Sequence, residues 1–164
     1  APATGSVGLL DYECTFVGEL NGKGDDFVLS VRVPVTTLCP CSKEISDYGA
    51  HSQRSFVTME VRTRPVSGPK APFVWIEELV AIAEGAASAP VYPLVKRPDD
   101  RFITMQAFDK PVFVEDVVRD VAAQLKADRR VGSFRVHALN LESIHNHDAF
   151  AEIAWTRPAR TARR

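Results

Sequence analysis

Phe27-Val28-Leu29-Ser30-Val31-Arg32-Val33-Pro34-Val35 sets Phe27, Leu29, Val31, Val33 and Val35 at every second position. A period of two puts all five on one face of a strand. Upstream, Asn21-Gly22-Lys23-Gly24-Asp25-Asp26 is a strong turn signal. Before it, residues 7–17 alternate again through Leu10, Tyr12, Cys14 and Phe16. The two runs predict a β-hairpin with long arms. Pro34 donates no N–H, which predicts an edge or a bulge near the end of the second arm.

Downstream the period is lost over residues 36–54, a polar stretch holding Thr36, Thr37, Cys39, Cys41, His51, Gln53 and Arg54. In a compact domain such a stretch is functional or disordered. Val57, Met59 and Val61 restore the alternation and predict an extra strand over 55–63. Residues 64–72, with three prolines and a glycine, read as a loop. Trp75, Ile76, Leu79, Val80 and Ala83 predict a helix over 73–88 that Pro90 and Pro93 end. A second helix carries the stripe Val114, Val117, Val118, Val121 and Leu125, with Asp109 as its N-cap and Pro111 in its first turn. Strands over 133–141 and 149–157 close the chain, joined around 143–148. The expected class is α+β, antiparallel hairpins in the order β-β-α-α-β-β.

Twenty Lys and Arg against 21 Asp and Glu leave a net charge of −1 over 164 residues, and 45% of the chain is hydrophobic. That composition fits one globular domain with a sizeable core, here residues 1–158, followed by a basic tail over 159–164. No basic excess points to nucleic acid, and no apolar run of about 18 residues points to a membrane. No charged n-region followed by an apolar h-region opens the sequence, so no secretory leader is expected. Three cysteines do not make a disulfide scaffold, so a reducing compartment, the cytoplasm, is expected. Cys14 lies within an alternating run and reads as buried and inert.

Cys39-Pro40-Cys41 is not a CxxC pair. In extended backbone two such side chains share a face about 7 Å apart, too far for one metal to take both sulfurs comfortably. Two readings stand: one ligand with one acid–base or nucleophilic thiol, or two small half-buried residues. His51, Glu142, His145 and His147 also fall in polar, loop-like stretches. Thiolate with imidazole favours a zinc-class divalent metal, and acid–base chemistry is the other option. Lys96, Arg97 and Arg101 surround Asp99 and Asp100. They form a grip for phosphates or simply a solvated charged face. Glu115 stands in the first turn of the second helix, where the helix dipole alone accounts for it. Neither a Walker-type loop nor GxGxxG is present.

Long strings then match a known family. Val33-Pro34-Val35-Thr36-Thr37-Leu38-Cys39-Pro40-Cys41-Ser42-Lys43-Glu44-Ile45-Ser46 and Gly49-Ala50-His51-Ser52-Gln53-Arg54-Ser55 closely resemble the prokaryotic type IB GTP cyclohydrolases. So do Val91-Tyr92-Pro93-Leu94-Val95-Lys96-Arg97-Pro98-Asp99, Phe113-Val114-Glu115-Asp116-Val117-Val118-Arg119-Asp120 and Glu142-Ser143-Ile144-His145-Asn146-His147-Asp148-Ala149. The likeness covers nearly all of residues 6–156.

The resemblance implies the tunnelling fold (T-fold) for residues 1–158. It also implies conversion of GTP to 7,8-dihydroneopterin triphosphate and formate in folate and pterin biosynthesis. Cys39 and His51 match metal ligands of the family. Asp100 stands where the family has a metal-proximal glutamate. The implied cofactor is a divalent metal: zinc, manganese or iron. Cys41 matches a proton-transferring thiol, Glu142 and His145 match residues of the active-site motif, and Glu115 matches the glutamate that anchors guanine. Lys96, Arg97 and Arg101 are the candidates for the triphosphate. Members carry two tandem units, and this sequence matches the C-terminal one. A homo-oligomer, or association with the N-terminal unit, is therefore expected. The rival readings are a non-catalytic metal-binding or assembly half, and a 7-cyano-7-deazaguanine reductase, which would need NADPH.

Overall fold

A computed structural model describes residues 1–21, 24–64 and 73–158 of the chain. The centre of the expected 21–26 turn, nearly all of the 64–72 loop and the basic tail of 159–164 lie outside the described residues. The strands are β1 (Glu13–Asn21), β2 (Gly24–Leu38), β3 (Ser52–Thr63), β4 (Ala89–Pro90), β5 (Val131–Asn140) and β6 (Ala149–Thr156). The helices are α1 (Pro40–Ile45), α2 (Ile76–Ala86), α3 (Arg97–Asp109) and α4 (Val114–Ala127). The strands form one antiparallel sheet in the order β1-β2-β3-β5-β6, with β4 beside β2.

One face of this sheet is covered by α2 and α4. Leu29, Val31, Val33 and Val35 of β2 point inward, as do Val57, Met59 and Val61 of β3 and Phe134, Val136 and Ala138 of β5. They meet Leu79, Ala83 and Ala86 of α2 and Val117, Val118, Val121 and Leu125 of α4. Each fully buried Val or Leu contributes about 1.5–3 kcal/mol. The opposite face is mixed: Arg32 pairs with Glu13 and Arg135 with Glu152, and the neighbouring row is Pro34–Phe56–Leu139–Phe150.

The expected two-helix order is corrected in three places. A helix missing from the sequence reading, α3, fills 97–109, so Asp109 ends α3 rather than capping α4, whose N-cap is Phe113. Its start is legible as Pro98 with Asp99 and Asp100 in the first turn. Its apolar stripe is not, because Phe102, Met105 and Phe108 remain exposed while Ile103 and Ala107 face the protein. The polar stretch 36–54 is largely regular: β2 runs to Leu38, α1 follows, and β3 begins at Ser52.

The first strand begins at Glu13, not at residue 7. Its pairing stops at Glu13↔Arg32, because Pro34 next presents no N–H and β4 occupies Val35 and Thr36. The edge expected at Pro34 is thus present locally. Cys14 is half-buried against the core rather than fully buried, since β1 is itself the sheet's outer strand. Among the described residues, no helix is long and apolar enough to cross a membrane.

Candidate functional site

The inward rows of the sheet change character toward one end. The rows Leu29–Val61–Phe134, Val31–Met59–Val136 and Val33–Val57–Ala138 are apolar. The next row is Val35–Ser55–Asn140, and beyond it Thr37 faces Gln53. Thr37, Gln53, Ser55 and Asn140 are all buried.

Cys39 and His51 come next. The Cys39 N–H donates to the His51 carbonyl at 3.1 Å, one further rung of the β2–β3 ladder. Residues opposite one another across such a pair share a face, with Cβ atoms about 4.5–5.5 Å apart. Ser42 holds the rung: its Oγ donates to the Cys39 carbonyl at 3.0 Å and accepts from the His51 N–H at 3.2 Å. Gly49, at φ +145°, supplies the reversal that leads into His51.

Pro40 starts α1 and Cys39 is its N-cap. This corrects the extended geometry expected for Cys39-Pro40-Cys41. Cys41 stands on the helix, where two residues differ by about 200° in direction. Cys39 is half-buried and Cys41 exposed, and all three cysteines are free thiols.

The other candidates reach this end from separate elements. The β3–β5 ladder adds one bond, Leu141 N–H to Arg54 carbonyl at 3.1 Å, just before Glu142. Ser143 Oγ lies 3.4 Å from His51 Nδ1, which brings the 142–147 loop to His51. In that loop the rings of His145 and His147 stack 5.2 Å apart. The Val112 N–H donates to the Leu38 carbonyl, so α4, with exposed Glu115 in its first turn, starts beside Cys39. Ile103 and Ala107 of α3 pack with Leu38, Ala50 and Ala89. A cavity of about 820 Å³ lies between α3 and the α1–β3 connection, lined by Leu38, Tyr48, Ala50, Ile103 and Phe108 among others.

Asp100 is not drawn into the Cys39–His51 pair. Its carboxylate accepts from Thr104 Oγ1 at 3.5 Å. Among the described residues no three of His, Cys, Asp and Glu stand close enough to hold an ion. A thiol opposite an imidazole suits a borderline-soft divalent ion, so this pair fits two of the three protein ligands a catalytic zinc takes. Lys96, Arg97 and Arg101 are exposed at the start of α3. Asp99 between them is fully buried, which disfavours its charge. The Thr4 hydroxyl and the N–H groups of Thr4, Lys96 and Ala3 outweigh that burial and hold its carboxyl at about 2. Asp99 is therefore a structural anion that ties the N-terminal segment to α3.

Thr37 and Gln53 lie in the polar stretch noted above, but residue type alone gave neither of them a role. The signal was available, since extending the Val57–Met59–Val61 parity backwards puts Ser55 and Gln53 on the inner face. A long polar side chain there needs a partner.

A family model described as type I GTP cyclohydrolase folE2 matches residues 1–151. The chain belongs to this type I GTP cyclohydrolase family. It is 53% identical over 152 residues to GTP cyclohydrolase FolE2 of Syntrophobacter fumaroxidans, covering 92% of this chain and 56% of that protein. The FolE2 of Nitrosococcus oceani is 51% identical over 153 residues, covering 93% and 55%. That of Thermotoga neapolitana is 53% identical over 151 residues, covering 92% and 55%. The chain thus spans about half the length of the curated relatives it matches.

Proposed function

We propose that this chain carries the reacting end of a GTP cyclohydrolase of type IB, on a tunnelling fold formed by residues 1–158. The reaction is hydrolytic opening of the guanine imidazole ring of GTP, giving 7,8-dihydroneopterin triphosphate and formate for folate synthesis in the cytoplasm. The observation that carries this reading is the meeting of Cys39, His51 and the 142–147 loop at the polar end of the sheet.

Each residue has work suited to its chemistry. Cys39 and His51 would hold a divalent ion, zinc, manganese or iron; Asp100, bonded to Thr104 on α3, would join them only in a completed assembly. Bound there, such an ion lowers the pKa of water to about 7. The Glu115 carboxylate accepts from guanine N1–H and the 2-amino group, a pairing that adenine does not offer. Cys41, Glu142 and His145 move protons as the ring opens and formate leaves. Lys96, Arg97 and Arg101 offer cationic donors to the triphosphate.

The two-donor pair and the exposed apolar residues of α3 favour completion of the site by another subunit or by the N-terminal unit of relatives. The test is metal analysis with assays of formate and pterin fluorescence on this chain, alone and with that unit supplied. Formate and pterin formed in equal amounts support the reading. Formation only with the added unit makes this chain the incomplete half of a longer enzyme. NADPH oxidation, or no formate in either case, contradicts it.

A further inference from the structure

A chain of buried hydrogen bonds runs inward from His51. His51 Nδ1 lies 3.1 Å from Gln53 Oε1. Gln53 Nε2 donates to Thr37 Oγ1 at 3.0 Å, and Thr37 Oγ1 lies 2.8 Å from Ser55 Oγ. Gln53 is 7% exposed, and Thr37 and Ser55 are effectively enclosed. An amide oxygen only accepts, so the imidazole nitrogen facing it must carry the proton. A neutral ring protonated at Nδ1 leaves its lone pair on Nε2. Thr37 matters because its hydroxyl accepts from the amide NH₂ in the orientation that leaves the oxygen of Gln53 facing His51. Ser143 Oγ, at 3.4 Å from the same nitrogen, is the weaker partner.

We propose that Gln53 is a positioning residue which, held by Thr37, fixes His51 as the Nδ1–H tautomer and presents Nε2 to a divalent metal. The tautomer claim stands on this geometry alone, and the metal half rests on the function proposed above. In general the group bonded to the far nitrogen of a metal-binding histidine fixes the ring and raises its basicity, and its loss weakens metal binding about 10–100-fold.

The test uses the full chain, metal-free, at a pH where the imidazole is neutral. Nitrogen-15 NMR reports which ring nitrogen is protonated, with the His51 signals assigned by their loss in His51→Gln. The wild type is expected to show protonated Nδ1, a result that needs no variant to fold. Gln53→Glu keeps an acceptor and should keep this tautomer, whereas Gln53→Met should shift the ring toward Nε2–H. Protonated Nε2 in the wild type, or an unchanged tautomer in Gln53→Met, overturns the proposal. Zinc titration supplies the second readout. Weakening by tenfold or more in Gln53→Met, with Gln53→Glu close to wild type, supports the metal half, and equal affinities overturn it. A wild-type chain that takes up no zinc overturns the zinc-site reading itself, while the NMR result still decides the role of Gln53.

Discussion

From Val61 to Gln53 the inner sheet face keeps one register along the same strands, yet its two ends are built for different tasks. At one end, valine, leucine, methionine and phenylalanine rows meet α2 and α4. At the other, the same inward parity carries Thr37, Gln53, Ser55 and Asn140, then Cys39 and His51. Apolar burial drives the first end. The second end costs desolvation and is tolerated because its groups bond to one another. Asn140 Oδ1 is the exception among the described residues, buried without a partner. The difference teaches that the pattern forming the sheet also delivers the site, by changing residue type without changing period.

Substitutions at the apolar end should therefore damage stability and spare ligand binding, and those at the polar end should weaken ligand binding at a smaller cost in stability. The largest effect is expected for Met59→Ala, which empties part of a fully buried row. Denaturant unfolding should show a loss of about 2–5 kcal/mol, with zinc affinity of the folded fraction unchanged.

Next comes the clamp at the apolar end. Arg130 binds Glu78 and Asp128, each at 2.7 Å, and the carbonyl of Phe73. Arg130→Met should cost about 2 kcal/mol. Hydrogen bonds from Arg130 hold the carboxyls of Glu78 and Asp128 below their ordinary 4.5 and 3.8. A lowered folded-state pKa stabilises above the ordinary value and loses that contribution as pH falls through the folded one. Stability curves should thus converge for wild type and variant as pH drops below about 4, and a constant gap down to pH 2 would remove the clamp from the account.

At the polar end, Thr37→Val should cost about 1–2 kcal/mol, because the Gln53 NH₂ loses its buried acceptor. Zinc affinity should fall with it, and a variant that loses stability but binds zinc normally would break the contrast between the ends. The smallest stability effect is expected for Cys39→Ser, within about 0.5 kcal/mol. It should nevertheless abolish tight zinc binding.

Much of this contrast was legible in the sequence. The alternation of β2, β3, β5 and β6 and the stripe of α4 are strong periodic signals, and the structure contains all of them. Helix α3 escaped because its inward face is only Ile103 and Ala107, while its larger apolar residues face outward. The start of β1 escaped because it is set by Pro34 and β4 on the neighbouring strand, a long-range effect. Cysteine and histidine drew attention to the site by residue type alone. That Cys39 and His51 stand opposite one another, and that Pro40 turns Cys41 away, follows from register and a helix start that residue spacing does not encode.

The most direct test of the account is X-ray absorption spectroscopy of the zinc-loaded chain, with Cys39→Ser and Cys41→Ser beside it. One sulfur is expected at about 2.3 Å, with nitrogen or oxygen ligands at about 2.0–2.1 Å. The sulfur should vanish in Cys39→Ser and persist in Cys41→Ser. Two sulfurs in the wild type, or a sulfur lost with Cys41 instead, would contradict the claim that the Cys39–His51 rung holds the metal.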